Sequence, residues 1–381
     1  MDSFERIPEC YQEICDLVGS LYLPPQSTFD EFKRSISECA RQTYIGDGRT
    51  GEIADAFKFF LRNLGYKEVF GPYSIPSVLK ADDLVSCMSG SGTSNTPVEK
   101  AKLARKVGAK VYGWTSNPHS KLGMIPGIHL IKIEGKSKID HQNNYHGRQI
   151  LGGPFAPLAP LGTQFELRLL FTSISVVGNI VHGSGVRDVF NRLYLKCKEY
   201  NPVPEQFRDL YKIVPKPRSV DNPSAGKTIV IGQDFTGIIG KNFTTRFRHA
   251  AKEGEERDVS FYTDKGTVSV NRGDLVLFLT GSGRESFYEL AVKLKDKGVK
   301  IGTFTSFPDT NLARISDATV IVPGRILENI EGLTGSYYPK EPEKSVFELM
   351  LALSLECYVY LTAQEEHITE QDMLNKHSDI T

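Results

Sequence analysis

The sequence predicts an α/β protein made of two similar domains, each a doubly wound parallel five-stranded sheet with helices on both faces. The 381 residues exceed the size of one typical domain, and 40% of them are hydrophobic, enough for sizeable cores. Continuous apolar strands alternate with amphipathic helices, which is the pattern of a parallel sheet covered on both faces. Segments of the first half also recur in the second half.

The internal repeat consists of four blocks that keep their order along the chain. The offset between paired blocks drifts from 186 to 191 and then to 182, as loops of different length would produce. One shared strand–turn–helix could arise by chance in two α/β domains, but four ordered blocks indicate a duplicated domain. The pairs are "YIGDGRTG" (44–51) with "VIGQDFTG" (230–237), "DDLVSCMSGSG" (82–92) with "GDLVLFLTGSG" (273–283), "GAKVYGWTSNP" (108–118) with "GVKIGTFTSFP" (298–308), and "TQFELRLL" (163–170) with "SVFELMLA" (345–352).

The domain boundary is placed in the segment 199–227, which carries five prolines. Proline at this density predicts an irregular, stiff linker, so we expect domains at 1–214 and 215–381. The first domain adds a helical lead-in at 27–42 and an irregular insertion at 136–162. The second adds a charged loop at 249–258.

The elements of the first copy follow from its apolar periodicity. A long apolar helix should start at Phe165. Before it, 42–48 is predicted to be a strand and turn, the further predicted strands are 67–71, 82–88, 109–116 and 127–135, and the predicted helices are 50–65 and 97–108.

Composition excludes several classes of function. Lys plus Arg and Asp plus Glu both number 46, so nothing favours a nucleic acid or an anionic membrane as partner. Six cysteines without CxxC spacing indicate neither a metal site nor a disulfide framework. The charged start does not resemble a signal peptide, and the apolar runs 169–181 and 349–363 are shorter than a membrane span. We expect a soluble cytoplasmic protein in which both runs form buried helices.

The stretch "MSGSGTSNTP" (88–97) concentrates hydroxyls and glycines where a strand passes into a helix. A helix N-terminus offers unpaired N–H groups, glycines allow close backbone approach, and hydroxyls add neutral donors, which together suit a phosphate ester. Thr96–Glu99 and Ser286–Glu289 read as capping boxes. Capping leaves four other hydroxyls of the stretch unexplained, so phosphate binding is favoured over capping alone. The candidate ligands are Ser89, Gly90, Ser91, Gly92, Thr93 and Ser94.

The turn "GDGRTG" (46–51) matches the dinucleotide pattern GxGxxG. The next strand, "KEVF", ends in Gly71-Pro72 without the carboxylate that would hold a ribose, so no dinucleotide cofactor is expected. Arg49 is then either a ligand for an anionic substrate or an ordinary surface arginine.

Two glutamates, Glu166 and Glu348, open the two long apolar helices. Either they stabilise the helix dipole, or partial desolvation makes one of them a proton-transfer base. His377 lies in a charged tail, where a histidine is usually solvated.

These motifs resemble sugar isomerase (SIS) domains, which are α/β modules that bind phosphosugars. The order "GxGRxG", "SGSGxS", "TSNP", "LGTxFE" and the ending "ITEQDMLNKHSDI" are most similar to 6-phospho-3-hexuloisomerases. The resemblance covers nearly all of both copies. That family normally has one domain per chain and assembles into dimers or tetramers, so the tandem implies a homo-oligomer, such as a dimer, or a monomer that imitates a dimer.

The resemblance implies roles for single residues. Ser89, Ser91, Ser94 and the intervening glycines would hold the phosphate, and Thr93 falls where the family varies. Gly48 and Arg49 would line the sugar. Glu166 matches the catalytic base, and His377 matches a tail histidine that opens the sugar ring or moves protons.

The second copy departs from the family pattern, with Phe235 at the arginine position. Its pocket residues would be Thr280, Ser282, Arg284 and Ser286. We therefore expect one sound pocket, in the first domain, to which Glu348 or His377 could contribute, and a degenerate or altered second pocket.

The implied reaction needs no cofactor or metal. A carboxylate removes the proton beside a carbonyl, an enediolate forms, and the proton returns to the adjacent carbon, which converts 3-hexulose 6-phosphate to fructose 6-phosphate. Two alternatives remain: a non-catalytic sugar-phosphate sensor or regulatory protein, and an aldose–ketose isomerase that acts on another phosphosugar.

Overall fold

The computed structural model describes residues 2–74, 76, 78–135, 163–262, 269–325, 342–369, 372, 373 and 376. The chain divides into two compact units, with its main boundaries between Cys15 and Asp16 and between Leu195 and Lys196. Residues 16–195 form most of the first unit, here the first domain. Residues 1–15 and those from 196 onward form most of the second unit, here the second domain.

The first domain contains a five-stranded parallel sheet in the order β2-β1-β3-β4-β5. The predicted fold class is confirmed for this half. The strands are β1 (Arg41–Ile45), β2 (Val69–Phe70), β3 (Asp83–Met88), β4 (Lys110–Thr115) and β5 (His129–Lys132). The helices that begin before the division of the chain are α1 (Ile7–Gly19), α2 (Gln26–Glu38), α3 (Gly48–Asn63), α4 (Asn95–Lys106), α5 (Thr163–His182) and α6 (Val186–Lys198).

Alternation along the first sheet separates its two cores, because successive strand side chains point to opposite faces. Ile45, Val85 and Val111 pack on one face against Val98 and other residues of α4. On the other face Trp114 of β4 contacts Phe32 of α2 and Phe57 of α3 edge to face. Helices therefore cover both faces, as the continuous apolar strands predicted.

The second domain repeats this sheet in the order β7-β6-β8-β9-β10, again entirely parallel. Its strands are β6 (Thr228–Gly232), β7 (Val259–Phe261), β8 (Leu275–Leu279), β9 (Lys300–Thr305) and β10 (Ala318–Ile321). Its helices are α7 (Pro204–Ile213), α8 (Asp234–Arg248), α9 (Glu285–Lys295), α10 (Asn311–Ile315) and α11 (Val346–Glu365), with 3₁₀ turns at Ser3–Arg6 and Pro342–Ser345.

The segment expected to be an irregular linker contains helix α7, so that expectation is wrong in part. Proline opens the helix, where its missing N–H costs nothing. Phe207 of α7 packs edge to face on Phe304 of β9, the counterpart of the contact between Phe32 and Trp114 in the first domain. Helix α7 thus packs on the second sheet as α2 packs on the first. The boundary near residue 215 remains a prediction.

The two apolar runs lie in helices α5 and α11, as expected. Val346–Glu365 is the one described helix long and apolar enough to cross a membrane, and 94% of its most apolar window is buried inside the protein. Burial of this degree is typical of a core helix. The charged segment 249–258 connects α8 to β7, whereas the insertion 136–162 lies outside the described residues.

Candidate functional site

The hydroxyl-rich turn follows β3 and is held in shape by its own first serine. Ser89 is 2% exposed; its Oγ accepts from the Gly92 amide at 3.1 Å and donates to Ser94 Oγ at 3.0 Å. The Ser89 hydroxyl is thereby used as donor and as acceptor. Gly90 is buried beside it, and its carbonyl accepts from the Ser116 amide at 3.0 Å. These contacts make Ser89 and Gly90 the frame of the turn.

The remaining hydroxyls of the turn lie nearer the surface. Ser91 and Ser94 are half-buried and Thr93 is exposed, with Ser91 Oγ 2.8 Å from Thr93 Oγ1. Gly92 has φ = +66°, and a Cβ at this position would overlap Ser120 Oγ. Glycine is therefore required at 92, and the turn presents Ser91, Thr93 and Ser94 at its rim.

Neither predicted capping box forms. Helix α4 begins at Asn95 with Ser94 as N-cap, and α9 begins at Glu285 with Arg284 as N-cap; neither N-cap side chain caps its helix. The predictions failed because each helix starts earlier than the capping pattern implied. Ser94 instead accepts the hydrogen bond of Ser89, and Glu99 pairs with Lys102. The N-terminus of α4 thus presents backbone N–H groups without a side-chain cap.

The second predicted turn follows β1, the neighbour of β3 in the sheet. Helix α3 starts at Gly48, where φ is +52°, and Arg49 is half-buried in its first turn. The carboxyl ends of β1 and β3 meet at one sheet edge, so this turn and the hydroxyl turn lie at the same edge.

Glu166 lies in the first turn of α5, 7% exposed, and helix α5 packs on α3. Its Oε1 accepts a hydrogen bond from Thr50 Oγ1 at 3.2 Å. The buried Glu166 carboxylate is thus held by Thr50, the residue that follows Arg49 in the chain. The sequence reasoning missed Thr50, although the repeat aligns it with Thr236 of the second domain.

The second domain carries the same frame. The Gly283 amide donates to Thr280 Oγ1 at 3.1 Å, Gly283 has φ = +64°, and Thr236 Oγ1 donates to Glu348 Oε1 at 2.9 Å. Ser282 is half-buried at the rim and Ser286 is exposed in the first turn of α9.

The side chains around this second frame differ from those of the first. Phe235, at the arginine position, is 1% exposed. Arg284 donates through Nη1 to Gln233 Oε1 at 2.6 Å, and its Nη2 lies 3.8 Å from Asp234 Oδ2. Arg325, which the sequence reasoning also missed, forms an ion pair with Glu348. Asp234 has φ = +54° where the first domain has Gly48.

His377 lies outside the described residues. Within the described part of the chain, no three His, Cys, Asp or Glu side chains are grouped as metal ligands.

Several relatives match one half of the chain. A protein of unstated function from Aeropyrum pernix is 35% identical over 163 residues, which cover 42% of this chain and 76% of that protein. A 3-hexulose-6-phosphate isomerase from Mycobacterium gastri is 26% identical over 156 residues, covering 41% of this chain and 74% of the isomerase. A 3-hexulose-6-phosphate isomerase from Bacillus subtilis is 28% identical over 142 residues, 37% of this chain and 70% of the isomerase. No family model matches the sequence.

Solved structures match the whole chain in fold. The tagatose-6-phosphate ketose/aldose isomerase of Escherichia coli aligns with a TM-score of 0.59 at 12% identity, covering 96% of this chain and 92% of that one. The glucosamine-6-phosphate deaminase of Thermotoga maritima aligns with a TM-score of 0.55 at 12% identity, covering 97% and 96%. The duplicated sheets, the turns at their carboxyl edges and these likenesses agree: the chain is a tandem SIS-domain protein related to the 3-hexulose-6-phosphate isomerases.

Proposed function

We propose that this protein is a phosphosugar isomerase whose working site lies in the first domain, with 3-hexulose 6-phosphate and fructose 6-phosphate as its substrate pair. The observation that carries the proposal is the buried Glu166 carboxylate, held by Thr50 next to Arg49. The relatives named for this reaction support the choice of substrate.

The phosphate is assigned to the rim of the hydroxyl turn. Ser91, Thr93 and Ser94 supply hydroxyl donors, and the start of α4 supplies N–H groups and the positive end of the helix dipole. Ser89 shapes this turn rather than touching the ligand, since its hydroxyl is already used twice. Gly48 leaves room at the neighbouring turn, and the Arg49 guanidinium serves as a donor to sugar oxygens.

The chemistry is assigned to Glu166. Its carboxylate removes the proton from C2 of 3-hexulose 6-phosphate, beside the C3 carbonyl, which gives an enediolate. The same group returns the proton to C3 while the hydroxyl proton of O2 passes to O3, and the carbonyl then lies at C2. Binding of the phosphate far from these carbons orients them toward the carboxylate, and donors such as Arg49 stabilise the negative charge on oxygen.

Glu166→Gln tests the proposal. The variant should bind fructose 6-phosphate with nearly unchanged affinity and lose about 10²- to 10⁴-fold in kcat, the range for loss of a general base. Glu99→Gln is the matched control, because Glu99 is an exposed carboxylate that pairs with Lys102 and should leave kcat unchanged. Binding is followed by calorimetry and turnover by product analysis.

The outcome also separates the two alternatives. A wild-type protein that binds phosphosugars but isomerises no hexulose or pentulose phosphate is a sensor. Turnover of a different phosphosugar, abolished by Glu166→Gln, keeps the catalytic assignment and changes the substrate. Full turnover by Glu166→Gln contradicts the assignment of the base.

A further inference from the structure

We infer that the crevice of the second domain, which lies between the turns 233–235 and 280–284, is closed by two of its own arginines, Arg284 and Arg325, so that the chain binds one phosphosugar rather than two. The inference rests on the proposed function, because it concerns which copy of the site takes the ligand. It also assigns a structural role to two charged side chains that the proposed reaction does not use.

Arg325 lies against the turn that corresponds to the phosphate turn of the first domain. It follows β10, and a Cβ placed on Gly281 would be 2.7 Å from Cγ and 2.8 Å from Nε of Arg325. The arginine side chain therefore rests directly on the backbone of the turn 280–283. A phosphate approaching that backbone would have to displace it.

The guanidinium of Arg325 is fixed by several partners within the domain. It donates to Glu348 Oε1 and to the Lys344 carbonyl, and it lies 5.4 Å from the ring centre of Phe347. The side chains of Arg325 and Glu348 are 10% and 2% exposed. Separating a buried ion pair leaves two uncompensated charges, which is strongly unfavourable.

The carboxylate of Glu348 takes part in the same set of contacts. Its Oε1 accepts hydrogen bonds from both Thr236 and Arg325. Glu348 is therefore the counterion of Arg325, and we assign it no proton transfer.

Arg284 crosses the second crevice at its rim. It stands where the first domain has Thr93, and it reaches Gln233 and Asp234 in the neighbouring turn, where the first domain has Asp47 and Gly48. Asp234 adopts a left-handed φ of 54°, a conformation that glycine takes more readily than a residue with a Cβ. Both turns of the second crevice are thus joined by a side-chain contact that the first-domain residues at these positions would not form.

The charges of the second crevice are already paired. Arg284 lies near the carboxylate of Asp234 and Arg325 pairs with that of Glu348, so the four charges cancel. A phosphate dianion would have to replace carboxylates that already satisfy both arginines. The repeat aligns Arg325 with Lys136, which lies outside the described residues.

Hydrogen–deuterium exchange of the wild-type full chain tests the inference without any variant. With saturating fructose 6-phosphate, peptides that cover 88–96 should gain protection, and peptides that cover 279–287 should exchange at an unchanged rate. Equilibrium dialysis should give one site per chain. Protection of 279–287, or two sites per chain, would overturn the inference.

The variant Arg284→Thr/Arg325→Ala/Glu348→Gln opens the crevice while leaving no unpaired buried charge. Once circular dichroism shows that it is folded, it should bind one more fructose 6-phosphate per chain than the wild type and protect 279–287. The matched control Arg314→Ala/Asp309→Asn removes an exposed pair of the same domain and should add no site. No added site in the folded triple variant overturns the inference.

Failure of the proposed function would look different. In that case 88–96 would stay unprotected in the wild type, while the triple variant would still gain its site at 279–287.

Discussion

The threonine–glutamate hydrogen bond occurs in both domains, at 3.2 Å between Thr50 and Glu166 and at 2.9 Å between Thr236 and Glu348. In each case the threonine is in the first turn of one helix and the glutamate in the first turn of another. The bond fixes one carboxylate oxygen and thereby the rotamer of the glutamate. We regard Thr50 as a positioning residue for Glu166.

Thr50→Val should lower kcat about tenfold while KM changes little, since loss of one hydrogen bond costs about 1.4 kcal/mol. Thr50→Ser, which keeps the hydroxyl, should recover most of kcat. Thr236→Val removes the equivalent bond in the second domain and serves as the matched control with unchanged kcat. These values come from steady-state kinetics of isomerisation.

A merely structural role of Thr50 is distinguished by two readouts. It would lower the melting temperature of Thr50→Val without lowering kcat. It would also make Thr236→Val and Thr50→Val equivalent in stability and in activity, which the positioning role does not allow.

Sequence reasoning at this scale found side chains that stand out by composition. Glu166 and Glu348 were visible as acids in apolar helices. Thr50 was hidden because a threonine near a helix start has many ordinary roles, and Arg325 because it becomes close to Gly281 and Glu348 only in the folded sheet.

At the scale of elements, the start of strand β3 is fixed by a buried carboxylate. Asp83 accepts from Arg41 Nε at 2.8 Å and Nη2 at 2.7 Å, and from the Lys80 amide at 2.7 Å. Burial by itself raises the pKa of the Asp83 carboxyl, but the hydrogen bonds from Arg41 and Lys80 outweigh burial and hold the pKa below its usual value. In the second domain Asp274, which directly precedes β8, accepts hydrogen bonds from the backbone amides of Lys227 and Asn271.

Asp83→Asn should destabilise the protein by about 2–3 kcal/mol at pH 7, because it leaves Arg41 without its carboxylate. A lowered folded-state pKa stabilises the protein above the unfolded-state pKa, about 3.9, and this contribution disappears as pH falls through the folded-state pKa. The variant should therefore lose less stability than the wild type between pH 5 and pH 2. Urea unfolding across this range measures both effects.

The exposed pair of Glu99 and Lys102 provides the control for Asp83. Glu99→Gln should leave the free energy of unfolding nearly unchanged, because this ion pair is exposed to solvent. Equal effects of Asp83→Asn and Glu99→Gln would contradict the role given to Asp83.

Element prediction succeeded where burial forces a continuous apolar run. Strands β3 and β4 were located within one residue at each end, since every described position of β3 is buried. It failed at helix starts, where Ser94 and Arg284 rather than the expected residues are the N-caps. It also failed for α7, because prolines flank that helix without entering its interior.

At the scale of the whole molecule, all six cysteines are present as thiols rather than disulfides, and five of them are buried. Burial raises the pKa of the Cys39 thiol to about 11 and raises the pKa values of Cys87, Cys197 and Cys357 further. The thiolate is the reactive form, so native thiols should be poorly reactive.

Thiol titration with Ellman's reagent at pH 8 checks this expectation. In the native protein, Cys39 should react about a hundredfold more slowly than a free thiol, and Cys87, Cys197 and Cys357 more slowly still. In denaturant, all six should react at once. Rapid reaction of two or more native thiols would show that the cores open readily.

The duplicated fold could be predicted from the sequence because the same blocks recur in the same order, and each block marks one strand and its turn. Which of the two pockets binds substrate stays a prediction. Phe235 and Arg284 were visible as departures, whereas their effect depends on which side chains the sheet edge brings together.

The glycine-framed turns have a practical consequence. Gly92 and Gly283 share nearly the same φ, and each amide is held by the first hydroxyl of its turn at 3.1 Å. Residues 89–95 could therefore be grafted in place of 280–286 without rerouting the backbone. Each domain can therefore supply turn segments to the other. Hybrids that exchange these segments would separate the contribution of the turn side chains to ligand binding from that of the surrounding backbone.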